Sequence, residues 1–286
     1  MPLTKLQFKP GINRDITSYS NEGGWIDSEK IRFRLGFPEK IGGWVKYSAA
    51  VFLGTCRALH AFVSLGGAKY LGMGTHLKYY VEIGTAYSDI TPIRKTSTNS
   101  ITFAKVADGS PLITVTDSSN GSVENDFVTF SGAISLGGVI TAPVLNQEYQ
   151  IVSITNGNVY VISAKDIAGD TVNANSSDTG NGGSGVDGLY QINVGLDTEV
   201  GGTGWGAGVW SRGEWGSGTD ITTVSELRLW SHDNYGEDLL INPRDGGVFI
   251  WDSSQGTTVR AVEIGTIEGA SDTPTVAKQI MVSDNN

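Results

Sequence analysis

At 286 residues the chain can bury a sizeable core in one large domain or two smaller ones. Its 39 glycines, 17% charged and 39% hydrophobic residues are the balance of a turn-rich all-β protein and exclude a mainly helical one. The net charge of −10, from 20 Lys+Arg against 30 Asp+Glu, argues against tight general binding to nucleic acid, which needs clustered cations. Cys56 is the one cysteine, so neither an intrachain disulfide nor a thiolate metal cluster can form, and it reads as a small buried hydrophobe. No run is long enough to cross a membrane, and the start MPLTKLQFKPG lacks the apolar stretch of a secretory signal, so the expectation is a soluble protein made in a reducing compartment.

Residues 8–44 are punctuated by Gly11, Gly23, Gly24, Gly36, Gly42 and Gly43 and weighted by Trp25, Phe33, Phe37 and Trp44. That is the chemistry of a chain that turns repeatedly while pinning itself to a larger body. From Lys30 the residues alternate, with Lys30, Arg32 and Arg34 on one face and Ile31, Phe33 and Leu35 on the other, which predicts a half-buried strand. Gly36 is expected to end it and Phe37-Pro38 to open the next turn. The basic face reads as solvated or ion-paired rather than as a phosphate site.

Short strands joined by glycine turns follow: RALHAFVS (57–64), AKYLGMGT (68–75), HLKYYVEI (76–83) and AYSDITPI (86–93). They predict an antiparallel meander. A similar order returns as ELRLWSH (226–232), DLLINP (238–243), VFIWDS (248–253) and TVRAVEI (258–264). A repeated four-stranded meander is the pattern of propeller blades.

Between the copies lies an expected insert with its own strands: PLITVTD (111–117), DFVTFSG (126–132), GGVI (137–140), EYQIVSI (148–154), VYVISA (159–164) and a closing YQIN (190–193). It reads as a small β-barrel or sandwich, with the polar tract 170–185 as a long flexible hairpin tip. In residues 201–218, Trp205, Trp210 and Trp215 recur at a spacing of five among glycines. They suit either a stacking surface for sugars or bases, or a loop anchored by tryptophans, and the lack of accompanying acidic or amide residues favours the anchor.

No catalytic set, cofactor motif or metal-ligand spacing stands out. His60, His76 and His232 have no partner histidine at ligand spacing, and no G-x-S-x-G, phosphate loop or H-E-x-x-H is present. Asp166 and Asp170 are close enough in sequence to suggest a glycosidase-like carboxylate pair, but pairs arise by chance in a chain with 30 carboxylates.

PGINR (10–14), GGWIDSEKIRFR (23–34), PEKIGGW (38–44) and SDITPI (88–93) resemble the tail nozzle, tail tubular or packaged-DNA stabilisation proteins of short-tailed bacteriophages. The strands DFVTFSGA and EYQIVSI resemble the inserted β-domain of such proteins, and MVSDNN (281–286) resembles the opening strand of a further blade. The resemblance implies an all-β chain of propeller-like meander blades with the inserted domain. Residues 1–96 would hold a docking segment and the first blade, 97–195 the insert, and 196–286 the Gly/Trp-rich connection, the second blade and the start of a third. The chain is shorter than the family's members, which implies a fragment of a longer propeller.

The resemblance further implies a non-enzymatic virion protein that needs no cofactor. It would form a homo-oligomeric ring, of six subunits in the family, against a portal-adaptor protein and tail fibre or needle proteins, and DNA would pass its lumen without sequence-specific binding and without membrane insertion. Like charge would keep DNA from sticking to an acidic wall. Arg14, Trp25, Lys30, Arg32, Arg34 and Trp44 are then expected to be assembly surface. The alternatives are a tail module that binds host polysaccharide through the insert or through Trp205, Trp210 and Trp215, and a polysaccharide-degrading tail enzyme.

Overall fold

The computed structural model describes residues 9–197 and 227–283. The chain divides into two compact units, Met1–Ala49 and Ala50–Asn286. The first holds one antiparallel hairpin, β1 (Ile31–Arg34) and β2 (Phe37–Lys40). Leu35 (φ 49°) and Gly36 (φ 84°) form its two-residue turn, the left-handed pair that matches the twist of the flanking strands. Pro38 therefore lies inside β2, where the sequence predicted a turn. It stands opposite Phe33, one pair beyond the Arg34–Phe37 pair that flanks the turn, which is a non-hydrogen-bonded position where a missing N–H costs nothing.

In the second unit the first meander is β3 (Cys56–Val63), β4 (Lys69–Thr75), β5 (Tyr79–Ile83) and β6 (Ala86–Asp89), hydrogen-bonded in that order. An insert sheet follows, with β7 (Ile93–Ser97), β8 (Thr102–Lys105), β9 (Leu112–Thr116), β10 (Phe127–Ser131), a one-turn helix α1 (Ala142–Leu145), β11 (Glu148–Asn156), β12 (Val159–Ser163) and β13 (Asp187–Gln191). The second meander is β14 (Trp230–Tyr235), β15 (Asp238–Pro243), β16 (Phe249–Trp251) and the two-residue β17 (Val262–Glu263), again in sequential order. The architecture is thus all-β, built from separate antiparallel sheets.

Alternation along β3 sends Ala58, His60 and Phe62 to one face and Leu59, Ala61 and Val63 to the other. The first face packs on the second meander, in a cluster that includes Phe62, Tyr79, Val81, Trp230, Leu239, Ile241 and Trp251. Two glycines set the approach. A Cβ on Gly74 would occupy the Trp230 indole, and one on Gly72 would lie 2.7 Å from the Tyr79 hydroxyl and 3.3 Å from Leu239. The indole so seated donates Nε1–H to the Thr75 carbonyl at 2.6 Å. On the opposite face Leu59 and Val63 remain 59% and 62% exposed.

The insert sheet runs β7-β13-β10-β11-β12-β9-β8, with β7 and β8 as free edges, so it is an open sheet and not the closed barrel the sequence allowed. It curls strongly: Tyr160 and Tyr190, with two strands between theirs in that order, bring their hydroxyls within 2.9 Å. One core, including Phe103, Phe130, Tyr149, Ile151 and Tyr160, fills the concave face, and Leu136, Ile140, Leu145 and Ala174 close it.

Several sequence expectations are corrected. The insert sheet begins at Ile93, because β7 pairs with β13, and the first meander ends at Asp89. Residues 137–140 are not a strand. The Asp178 carboxylate accepts the N–H groups of Gly138 (2.9 Å), Ile140 (3.0 Å) and Asn175 (2.8 Å), which takes those donors away from any ladder. The polar tract 170–185 is for the same reason a packed closure rather than a flexible tip: Ala174 and Asp178 are buried within it. Residues 281–283 are not in a strand, although Ile280 and Val282 hydrogen-bond to Ser231 and Asp233 of β14.

The three sheets of the second unit meet at a ring of alternating charges. Lys78 Nζ lies 2.7 Å from Asp89 and 2.6 Å from Glu148, and Arg260 lies 2.9 Å from Asp89 and 3.5 Å from Glu148. The Lys78 side chain is 3% exposed. Burial pushes the Asp89 carboxyl up, but the Lys78 and Arg260 charges with the Lys78 and Thr91 hydrogen bonds outweigh it and hold the group below its ordinary value.

Two outcomes are expected. Gly74→Val displaces Trp230 and lowers stability by about 1–3 kcal/mol, and Trp230→Ala lowers it by about 3–5 kcal/mol, both read in denaturant melts. Lys78→Met leaves two carboxylates facing one guanidinium and costs about 3–5 kcal/mol. Because the Asp89 value is depressed, its contribution is present above the ordinary carboxylate range and is lost as pH falls through the lower folded value. Lys78→Met should flatten that acid limb of the stability curve.

Candidate assembly surface

Among the described residues of the first unit, Asn21 alone is buried. Its side-chain amide donates to the carbonyls of Asn13 and Trp25, at 3.4 and 3.3 Å, and fastens two passes of the chain. An isolated bridge between Ile12 and Trp25 adds to this, and Asn13 N–H donates to the Trp25 carbonyl at 2.9 Å. Trp25 is half-buried and meets Phe33 edge to face at 6.1 Å. Alternation in the hairpin puts Ile31 and Phe33 on the face toward Trp25, with Arg32, Arg34, Phe37 and Glu39 on the other.

Of the residues expected at an interface, Arg14 pairs with Asp27 at 2.6 Å and also donates to the Ile26 carbonyl. The Arg14 hydrogen bond to the Asp27 carboxylate, together with one from Ser28 N–H and the charge of Arg14, holds that carboxyl below its ordinary value. Arg32 pairs across the hairpin with Glu39 at 3.3 Å, and Lys30 lies 3.3 Å from its neighbour Glu29. Arg34 is exposed, and Trp44 is 98% exposed. The structure therefore brings Trp25 and the strand together and leaves Trp44 outside that cluster.

Phe37 and Leu35, named in the sequence, are joined by an exposed apolar set that sequence reasoning did not single out, Tyr19, Val45 and Tyr47, and all five are at least 70% exposed. The signal was the density of aromatic residues in a segment too short to cover them. Charge is also partitioned. Residues 1–49 carry eight Lys+Arg against five Asp+Glu, and residues 50–286 carry twelve against twenty-five. Trp205, Trp210 and Trp215 lie outside the described residues.

The chemistry-bearing groups of the second unit are committed to structure. His60 Nε2 is 2.6 Å from Asn234 Oδ1, the Tyr79 hydroxyl is 3.3 Å from His232 Nδ1, and the two imidazoles lie 4.8 Å apart across the joint between the meanders. His76 Nδ1 accepts from Thr55 N–H at 3.1 Å. Asp166 accepts from Asp170 N–H at 2.9 Å, so these two shape a turn. Burial pushes the Cys56 thiol up, away from reactivity. The described residues hold no group of three His, Cys, Asp or Glu able to bind a metal ion, and no helix among them is long and apolar enough to cross a membrane. All six aromatic residues of the insert, Phe103, Phe127, Phe130, Tyr149, Tyr160 and Tyr190, are buried, which leaves no ring there for a sugar to stack on.

No family model matches the chain, and no curated protein matches it. Among solved structures, a phage phi92 endosialidase aligns at a TM-score of 0.24 and 11% identity, over 72% of this chain and 29% of that one. The chain thus spans under a third of that protein's length, and an overlap this low assigns neither fold nor activity.

His232 supplies a pH test. Burial and then the neighbouring His60 hold its imidazole below the ordinary histidine value, against the opposing pull of the Leu59 carbonyl and Asp233. The unfolded chain therefore takes up the proton first, and stability should fall as pH drops below about 6.5. His232→Gln should reduce that slope, as read from melts across the pH range.

Proposed function

We propose that the chain is a structural, non-enzymatic component of a bacteriophage tail, located in the virion. Its meanders serve as blades of a propeller-like wall, and copies assemble into the nozzle ring that extends the portal-adaptor channel and conducts packaged DNA. The observation that carries this reading is the joint between the meanders. Trp230 seats over Gly74 on one face of β4, while the opposite face of the same sheet leaves Leu59 and Val63 uncovered. An outer strand that keeps apolar residues exposed on the face away from its first partner sheet calls for a further layer there, which is the packing logic of repeated blades.

The N-terminal motifs supply the resemblance to nozzle proteins, and the acidic balance of residues 50–286 suits a wall past which DNA must slide. The insert offers the polysaccharide-binding alternative no exposed aromatic ring, since all six are buried, which leaves that reading to Trp205, Trp210 and Trp215.

Negative-stain microscopy of the purified protein and of virions tests the reading. A ring on the distal tail axis is the expected image, and a trimeric fibre at the tail periphery would overturn it. Deleting residues 8–44 should abolish the ring while circular dichroism still reports the insert's β-structure.

A further inference from the structure

We infer that the β1–β2 hairpin of one copy docks on the acidic edge that β17 and the loop after it present on a second copy. The inference draws on the proposed function only in requiring that copies associate.

The first observation is that the hairpin cannot stand on its own. Two strands without a covering layer are marginal in water, and no hydrophobic residue among those described in this unit is buried. Its outer face sets Arg34 and the Arg32–Glu39 pair beside Phe37, which is 73% exposed, with the Leu35 turn 92% exposed at the tip, and so keeps one positive charge in excess. A face of this composition calls for a surface that is both apolar and acidic.

The second observation is that the second unit holds such a surface at a strand edge. Among the described strands β17 pairs with β16, and on its other side the Ala261 N–H donates to the Ile90 carbonyl at 3.0 Å and the Glu263 carbonyl accepts from the Thr266 hydroxyl at 2.7 Å, so what this edge offers a partner is side chains. Residues 261–277 contain Glu263, Glu268 and Asp272 and no lysine or arginine. All three acids are exposed, and Val262 (48%) and Ile267 (39%) are exposed among them. The segment folds back on itself, since Thr273 Oγ1 lies 2.8 Å from where a Gly265 Cβ would stand, so the acids share one small loop. Arg260, the nearest preceding cation, is held by Asp89 and Glu148.

Charge complementarity therefore selects a second copy of this chain as the occupant. Arg32 and Arg34 meet Glu263, Glu268 and Asp272, and Phe37 and Leu35 meet Val262 and Ile267. Such contacts steer association and fix register more than they add raw affinity.

The test uses the full chain in light scattering, with two variants. Arg32→Glu/Arg34→Glu and Glu263→Lys/Glu268→Lys should each lose the oligomer that the unaltered protein forms. Mixing the two should restore it, because the reversed hairpin then finds a reversed edge. A second readout does not depend on either charge variant folding normally. With Cys56→Ala as background, a mixture of Arg34→Cys and Glu268→Cys chains should give a disulfide-linked heterodimer under oxidation, and mixtures with the distal Ile154→Cys should not. The inference is overturned if the unaltered chain stays monomeric at its highest soluble concentration, if either variant alone assembles normally, or if the mixtures neither recover nor cross-link. Recovery in the mixture without any ring on the tail would sink the nozzle reading and leave the docking intact.

Discussion

The four-membered ring of Lys78, Asp89, Arg260 and Glu148 is the constraint on which the second unit depends. Each charge faces two of opposite sign, and the four come from the approaches to β5 and β17, the end of β6 and the start of β11. Three sheets with separate hydrogen-bond ladders are thereby forced into one arrangement. Outer contacts complete it: Thr91 donates to Asp89, Gln191 donates to Glu148 at 2.5 Å, and the Lys78 ammonium lies 4.4 Å from the centre of the Phe127 ring. Desolvating four charges offsets most of their mutual attraction, so the ring acts more on specificity than on net stability. An apolar patch would hold the sheets together equally well but would tolerate sliding. Paired charges do not, because a shifted register leaves a buried ion alone.

The apolar joint beside the ring works by shape. Gly72 and Gly74 remove side chains from one face of β4, and Trp230 and Leu239 fill the space from the facing sheet. Edge-to-face contact between Tyr79 and Trp230, with centroids 4.9 Å apart, adds direction to the packing. On the far face Met73 and Tyr80 are buried, with the Phe52 ring 6.1 Å from that of Tyr80, and the apolar residues left exposed are those of β3, Leu59 and Val63.

How much of this was legible in the sequence follows from which forces act locally. Alternation and glycine turns located β3 to β5 and β15 closely, because period-two patterning and turn chemistry are properties of a few adjacent residues. β8, with the sequence TFAK, escaped notice because only Phe103 points into the core. The segment 170–185 misled because its composition is that of a linker. What orders it is a single carboxylate, Asp178, that collects three backbone donors from two segments, and one residue carries no periodic signal. Lys78, Glu148 and Arg260 were invisible as a set for a related reason: they lie up to 182 positions apart in a chain with 50 charged residues. In the hairpin, the alternation of Lys30 to Leu35 was readable, but the tolerance of Pro38 within a strand depended on register.

The placement of polar chemistry explains where function must reside. Asp126 is fully buried and accepts from Val123 N–H, Asn193 and Val194 N–H at 3.0, 2.6 and 2.9 Å. Asp117 is bound by Ser97, Ser100 and Lys95. A carboxylate saturated in this way fastens loops and has little capacity left to turn toward a ligand. The insert treats its aromatic rings alike, burying all six. What the folded second unit leaves available is therefore its outer faces and strand edges, whereas the first unit exposes nearly all of its aromatic surface and carries the opposite charge balance. The charge balance and the exposed aromatic residues thus divide along the same boundary in the chain, at residue 49.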